Sequence, residues 1–208
     1  MSLRLWLVRH AQSTWNADHR LQGKSDPPLT ALGRRQAQAV AQRLATLPPV
    51  AIYTSPLQRA LETARAIGRL TGLTPIADAR LQEIGVGVAS GKRWEELTQR
   101  WPHLDRLTQR GELALPYIPG VESLEIFGQR VAQSFAEICR RHEEGDIVIV
   151  SHGGVFRAYL AQLMEVRRGY TPVLHFANAS LTQVLFVRNG WIDVRFVNDT
   201  AHLRNGDG

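Results

Sequence analysis

The stretch Asp146-Ile147-Val148-Ile149-Val150 sets four β-branched residues in a row, and a run that is apolar at every position must be buried on both faces of a sheet. A sheet with one wet face would alternate instead, so the run argues for parallel strands with helices on each side. Leu3 to Val8 and Val50 to Thr54 read the same way, and a short edge strand is expected near Pro75 to Ala77. Between these runs, apolar residues at helical spacing supply the crossovers that parallel strands need. Leu32, Ala37, Val40, Ala41 and Leu44 form one stripe behind Thr30 as cap, and Ala64, Ile67 and Leu70 form a second that ends at Gly72. A third runs from Leu124 through Phe127, Val131, Phe135 and Ile138 to Cys139, with the helix expected to end near Glu144-Gly145. After Ser151-His152-Gly153-Gly154 the next helix is expected from Val155 to Leu163. The expected fold class is α/β, a three-layer sandwich with a mostly parallel central sheet flanked by helices.

At 208 residues the chain suits one domain with an elaboration. The elaboration falls at about residues 85–122, a small helical insert. There Trp94, Leu97, Trp101, Leu104 and Leu107, interrupted by Pro102, predict two short amphipathic helices that pack and form one wall of a substrate cleft. Near the C-terminus, Leu181 to Val187 and Trp191 to Val197 flank Arg188-Asn189-Gly190, a hairpin signal. Residues from about Asp199 onward are expected to fray.

Parallel strands put their C-terminal ends on one edge, where α/β proteins bind ligands. The first strand ends in Arg9-His10. The second leads into Ser55-Pro56-Leu57-Gln58-Arg59, read as an N-cap serine, a first-turn proline and a capping box, which places Arg59 about one turn inside a helix. The third leads into Ser151-His152-Gly153-Gly154, whose glycines let backbone N–H groups approach an anion. Leu81 to Gly91 has no helical period, carries three glycines, and holds Glu83 as its one acidic group. Singly, each has an ordinary reading as a solvated strand end or an exposed helix residue. Together, two arginines, two histidines and a glutamate converge on one edge.

The net charge of +6, from 25 basic and 19 acidic residues, favours an anionic partner. The arginines never form a block of five or six and no basic–aromatic ladder is present, so a small phosphorylated substrate fits better than nucleic acid. Cys139 is the single cysteine; it excludes an internal disulfide and reads as core filler. His10, His152 and Glu83 lie on separate elements without the spacing of a zinc helix, so no metal is expected, and no other cofactor. No apolar run reaches the roughly 18 residues that span a bilayer, and the N-terminus lacks the pattern of a signal peptide. The expectation is a cytoplasmic protein without membrane contact, its oligomeric state open and a homodimer compatible.

Motifs in the same order along nearly the whole chain resemble the histidine phosphatase superfamily, the phosphoglycerate mutase-like enzymes with an Arg-His-Gly motif. Leu7-Val8-Arg9-His10-Ala11-Gln12-Ser13-Thr14-Trp15-Asn16 is similar to the first motif, and Leu21-Gln22-Gly23-Lys24 through Gly33 to the stretch behind it. Tyr53-Thr54-Ser55-Pro56-Leu57-Gln58-Arg59-Ala60-Leu61-Glu62-Thr63-Ala64 resembles the second arginine motif, and Leu81-Gln82-Glu83 the acidic one. Pro119-Gly120-Val121-Glu122-Ser123 resembles a Pro-Gly-x-Glu-Ser element, and Val148 to Gly154 the final histidine motif. One departure is visible: the motif glycine after the histidine is Ala11 here.

The resemblance implies a phosphoglycerate mutase-like fold and a phosphohistidine on His10, with Arg9, Arg59 and His152 binding phosphoryl oxygens. Asn16 and Gln22 would add neutral hydrogen bonds, with Gly23 and Gly153 also at the phosphate. Glu83 would protonate the leaving oxygen and later take a proton from water, a role that calls for partial burial. The expected activity is hydrolysis of a phosphomonoester without a metal. The alternatives are a cofactor-dependent phosphoglycerate mutase and a non-catalytic protein that binds phosphorylated ligands.

Overall fold

The computed structural model describes residues 2–166, 174–187 and 190–204. The three apolar runs form β1 (Leu3–Arg9), β2 (Pro49–Thr54) and β4 (Gly145–Ser151), with β3 (Ile76–Ala77) a two-residue edge strand. A C-terminal pair, β5 (Leu181–Phe186) and β6 (Ile192–Asp199), completes one sheet of order β3-β2-β4-β1-β5-β6. β3, β2, β4 and β1 are mutually parallel, β5 runs antiparallel to β1, and β6 runs antiparallel to β5.

Both faces of the central strands are apolar because both are covered. Trp6, Val8, Ile52, Val148 and Val150 pack on α2 (Ala31–Ala45) and α3 (Gln58–Thr71). Their sequence neighbours Leu5, Leu7, Tyr53, Ile147 and Ile149 point the other way. They meet α6 (Leu124–Arg141), α7 (Gly153–Leu163) and the insert helices α4 (Trp94–Arg100) and α5 (His103–Gln109). A four-residue helix, α1 (Thr14–Ala17), follows the β1 loop. Thr30 caps α2 as expected, accepting from the Gly33 N–H. Cys139 packs against the core, where burial pushes its thiol up to about 11.

Four local expectations are corrected. α3 begins at Gln58 with Leu57 as its cap residue, so Pro56 lies outside it and no capping box forms. The Gln58 N–H is met by the Asp26 carboxylate at 2.6 Å instead. α6 stops at Arg141, short of Glu144-Gly145. α7 starts two residues early, at Gly153. The C-terminal segment does not fray at Asp199: residues Ala201–Leu203 form a 3-10 turn and His202 Nε2 lies 2.9 Å from the Ala179 carbonyl. Of the expected hairpin turn, Arg188 and Asn189 lie outside the described residues.

Candidate active site

The ends of β1, β4 and β2 are in register, Val8 beside Val150 beside Thr54. Backbone bonds carry that order past the strands: the His10 N–H donates to Ser151 at 2.9 Å and the Ser55 N–H to Val150 at 3.0 Å. Residues from three separate segments are thereby fixed around one point.

His10 is 3% exposed. Its Nδ1 lies 2.8 Å from the Ala11 carbonyl, which can only accept, so Nδ1 carries the proton and Nε2 a lone pair. Burial, then the charges of Arg59 and Arg9, hold the imidazole well below the usual histidine range and hence neutral. Ala11 has no positive φ, its methyl packs in the core between β1 and α3, and its N–H donates to Thr63 Oγ1 at 3.1 Å. Alanine in place of glycine therefore keeps the carbonyl where the imidazole needs it. The other side of the turn is held by Asn178, whose Nδ2 donates to the His10 carbonyl at 3.1 Å.

Arg59, 1% exposed, donates Nη1 to the Ser25 carbonyl at 2.6 Å, Nη2 to the Gly23 carbonyl at 2.8 Å, and Nε to His10 Nε2 at 3.3 Å. Gly23 is at φ +52°, and a Cβ there would stand 2.7 Å from Val86 Cγ2, so the residue that presents this carbonyl has to be glycine. Arg9 donates one Nη to the Phe176 carbonyl, while its buried Nε has no protein partner among the described residues. Burial lowers both guanidiniums to about 10, against the opposing pull of Glu83.

His152 is fully buried, its ring centroid 5.1 Å from that of His10. Its Nε2 lies 2.8 Å from Ser55 Oγ, which also accepts from the Leu57 N–H at 3.3 Å. When the serine hydroxyl donates to Nε2, the imidazole proton sits on Nδ1, a buried atom without a protein partner among the described residues. Ser55 orients the second histidine instead of capping a helix.

Glu83 is half-buried: its Oε1 accepts from the Ile84 N–H at 2.9 Å and its Oε2 from the Gly154 N–H at 3.1 Å. A Cβ on Gly154 would come within 2.1 Å of Oε1. A Cβ on Gly153, the glycine expected at the phosphate, would stand at an ordinary 3.9 Å from Arg9 Nε, and Gly154 is the one that lines the cleft.

Asn16 and Gln22 both line the cleft. Their amide oxygens are turned to the Ser13 hydroxyl, at 3.0 and 2.8 Å, and Asn178 Nδ2 donates to Asn16 Oδ1 at 3.1 Å. A carboxamide with its oxygen so engaged directs its NH₂ the other way.

The cleft is about 210 Å³ and adds two cations that the sequence reading missed, Arg20 and Arg157. Arg157 lies about one turn inside α7, as Arg59 lies inside the chain leaving β2, so the same strand-end argument could have found it. Of the insert, Val86 and Leu115 reach the cleft. Leu97 and Trp101 instead line a separate cavity of about 440 Å³ that contains none of the residues above. The tryptophan-bearing stripe is packing and a neighbouring surface, not the wall of this cleft.

A neutral imidazole nitrogen beside two buried guanidiniums, with a carboxylate opposite, can bind a tetrahedral dianion and take its central atom. Among the described residues no group of three or more His, Cys, Asp or Glu side chains could hold a metal ion, and no helix is long and apolar enough to cross a membrane.

Known proteins are similar to this chain over nearly its full length. A probable phosphoglycerate mutase of Yersinia enterocolitica is 34% identical over 209 residues, covering 97% of this chain and 95% of the relative. A mycobacterial glucosyl-3-phosphoglycerate phosphatase superposes with TM-score 0.84 at 30% identity, covering 96% of this chain and all of the other. A phosphoserine phosphatase from Entamoeba histolytica, solved with 3-phosphoglyceric acid, gives TM-score 0.83 at 30% identity over 97% and 99% of the two chains. The family model for the histidine phosphatase superfamily (branch 1) matches residues 5–200, a span that takes in every residue placed in the cleft and every strand but the first two residues of β1, and the chain belongs to that superfamily.

Proposed function

We propose that the protein is a phosphomonoesterase acting through a phosphohistidine on His10. The observation that carries this is the imidazole itself: Nδ1 is pinned to Ala11, and Nε2 presents its lone pair among guanidiniums. In the first step Nε2 forms a bond to phosphorus while the ester P–O bond breaks, and the leaving oxygen takes the proton of the Glu83 carboxyl. In the second, water attacks phosphorus, Glu83 takes its proton, the P–N bond breaks and inorganic phosphate leaves. Arg9 Nε and His152 Nδ1, both buried and without protein partners among the described residues, donate to the phosphoryl oxygens, as do Arg59 and the amides of Asn16 and Gln22.

The titratable residues lining the cleft, besides His10, are Arg9, Arg20, Arg59 and Arg157 against Glu83. Arg20 is already paired with Asp18 at 3.9 Å and Glu96 at 3.6 Å. What supports a substrate with a second anionic group is that Arg20 and Arg157 line the cleft besides the two arginines assigned to the phosphoryl group. The relatives named for phosphoserine and 3-phosphoglycerate derivatives support the same reading.

The mutase reading draws on the name of the Yersinia relative and uses the same phosphoenzyme. Acid-labile phosphate should appear on the wild type after rapid quench with a labelled substrate and be absent from His10→Ala; its persistence in that variant would overturn the mechanism. Release of inorganic phosphate from 3-phosphoglycerate and phosphoserine supports hydrolysis, whereas isomerisation dependent on bisphosphoglycerate supports the mutase. Arg157→Gln should raise KM for these diacids tenfold or more and leave KM for an aryl phosphate nearly unchanged.

A further inference from the structure

The reaction above uses neither Glu122 nor Arg130, yet these two residues grip the backbone around Glu83 more tightly than any other pair. Arg130, on α6, donates Nη1 to the carbonyls of Arg80 and Gln82, both at 2.7 Å, and Nη2 to the carbonyl of Glu83 at 3.0 Å. Its Nε and Nη2 also form a forked pair with the Glu122 carboxylate at 2.7 and 2.9 Å. All five guanidinium N–H donors are thereby used. Glu122 in turn accepts from the Gly85 N–H at 2.9 Å and pairs with Lys24 at 3.3 Å. Both partners are largely buried, their side chains 15% and 12% exposed, and the Phe127 ring packs 4.7 Å from the guanidinium carbon. Burial alone would raise the Glu122 carboxyl, but Arg130 and the Gly85 N–H outweigh it and hold it down to about 2, so the pair stays charged at any working pH.

The bonded positions, 80, 82, 83 and 85, bracket the Glu83 Cα on both sides. Residues 82–85 lie in neither a helix nor a strand. Backbone bonds tie the ends of the segment, Gln82 N–H to the Ala79 carbonyl and Glu122 N–H to the Gly85 carbonyl, with Val86 bridged to Val121. Between them the position of the carboxyl depends on these side-chain bonds. We infer that the Arg130–Glu122 pair is a positioning device for the Glu83 carboxyl, setting its reach to the leaving oxygen. It touches no substrate atom. This rests on the proton-transfer role proposed for Glu83.

The test separates proton transfer from phosphate binding through the leaving group. p-Nitrophenyl phosphate leaves with little help, whereas an alkyl phosphate such as 3-phosphoglycerate needs the proton. Comparing kcat/KM on both, Glu83→Gln should lose at least about a hundredfold on the alkyl substrate and less than about fivefold on the aryl one. Arg130→Lys, which cannot supply five donors in one plane, and Glu122→Gln should show the same split, reduced in size. In the Glu83→Gln background either substitution should cost almost nothing further. Glu122→Gln retains the three carbonyl bonds of Arg130 and carries the test if Arg130→Lys melts below the assay temperature. Should Glu83→Gln itself show no split, the acid role of Glu83 fails and the positioning proposal with it. If Glu83→Gln shows the split but Arg130→Lys and Glu122→Gln depress both substrates equally, or neither, the positioning proposal alone is overturned.

Discussion

The Nε–H of Arg59 points at His10 Nε2, the imidazole nitrogen free to react, from 3.3 Å. The guanidinium cannot drift from that position, because Ser25 and Gly23 hold its other two nitrogens. A lysine ammonium could not serve two carbonyls and face the imidazole at once. Arg59→Lys should therefore fold normally and lose about 10²–10³ in kcat/KM on any phosphomonoester, the cost of a misplaced transition-state donor. Steady-state kinetics with p-nitrophenyl phosphate checks this; a loss under fivefold would show that charge alone suffices there.

Arg9 and Arg59 are lowered by burial to about 10. Both are cationic at neutral pH and begin to lose protons near pH 9 in the free enzyme. Inorganic phosphate stays a dianion across that range, so its inhibition constant reports the protein alone. It should be flat from pH 7.5 to 8.5 and rise at least tenfold by pH 10.5, where unburied arginines would show no change.

His10 and His152 are both buried neutral, held well below the usual histidine range by burial first and neighbouring arginines second. In the unfolded chain each takes up a proton near pH 6.5. Below that value the unfolded state binds more protons than the native one, so stability falls as pH falls, by up to about 1.4 kcal/mol per unit for each histidine. Above it the two contribute no slope. Urea unfolding should give nearly constant stability from pH 8 to 7 and a decline between pH 6.5 and 5. His142 and His202 shift in the same direction, so the comparison that isolates the site is His152→Asn, which should flatten the decline.

Gly154→Ala adds a methyl that would overlap Glu83 Oε1 at 2.1 Å. Alanine suits the first turn of α7 better than glycine does, so the helix itself does not suffer. The carboxyl has to move instead. The expected result is a melting temperature within a few degrees of wild type and a loss on alkyl phosphates that approaches that of Glu83→Gln. Equal losses on aryl and alkyl substrates would place the damage at the phosphate rather than at the proton.

The central strands were legible because a run apolar on both faces has one stable setting, and their parallel order brought Arg9, His10, Arg59, Glu83 and His152 to one edge. What local reading got wrong was the assignment of individual polar atoms. Ser55 has the sequence context of an N-cap, yet its hydroxyl pairs with His152, 97 residues away, while Asp26 caps Gln58 from 32 residues away. The stripe Trp94, Leu97 and Trp101 was legible as helix but not as to what it faces, since packing direction is a tertiary fact. Asn178 and Ser13 carry no signal of their own, because an amide in a loop is ordinary until the group it holds is known. Arg157 did carry one, its place a turn inside a helix that leaves a strand end.

The turn that bears His10 is completed from the far end of the chain. Asn178 donates to the His10 carbonyl across 168 positions, and the Ala179 N–H donates to the Arg9 carbonyl at 3.0 Å just before β5 docks on β1. During synthesis the first strand must wait for the chain as far as Ala179 before its histidine is braced. A chain that has not yet added Asn178 and β5 thus carries His10 without its brace.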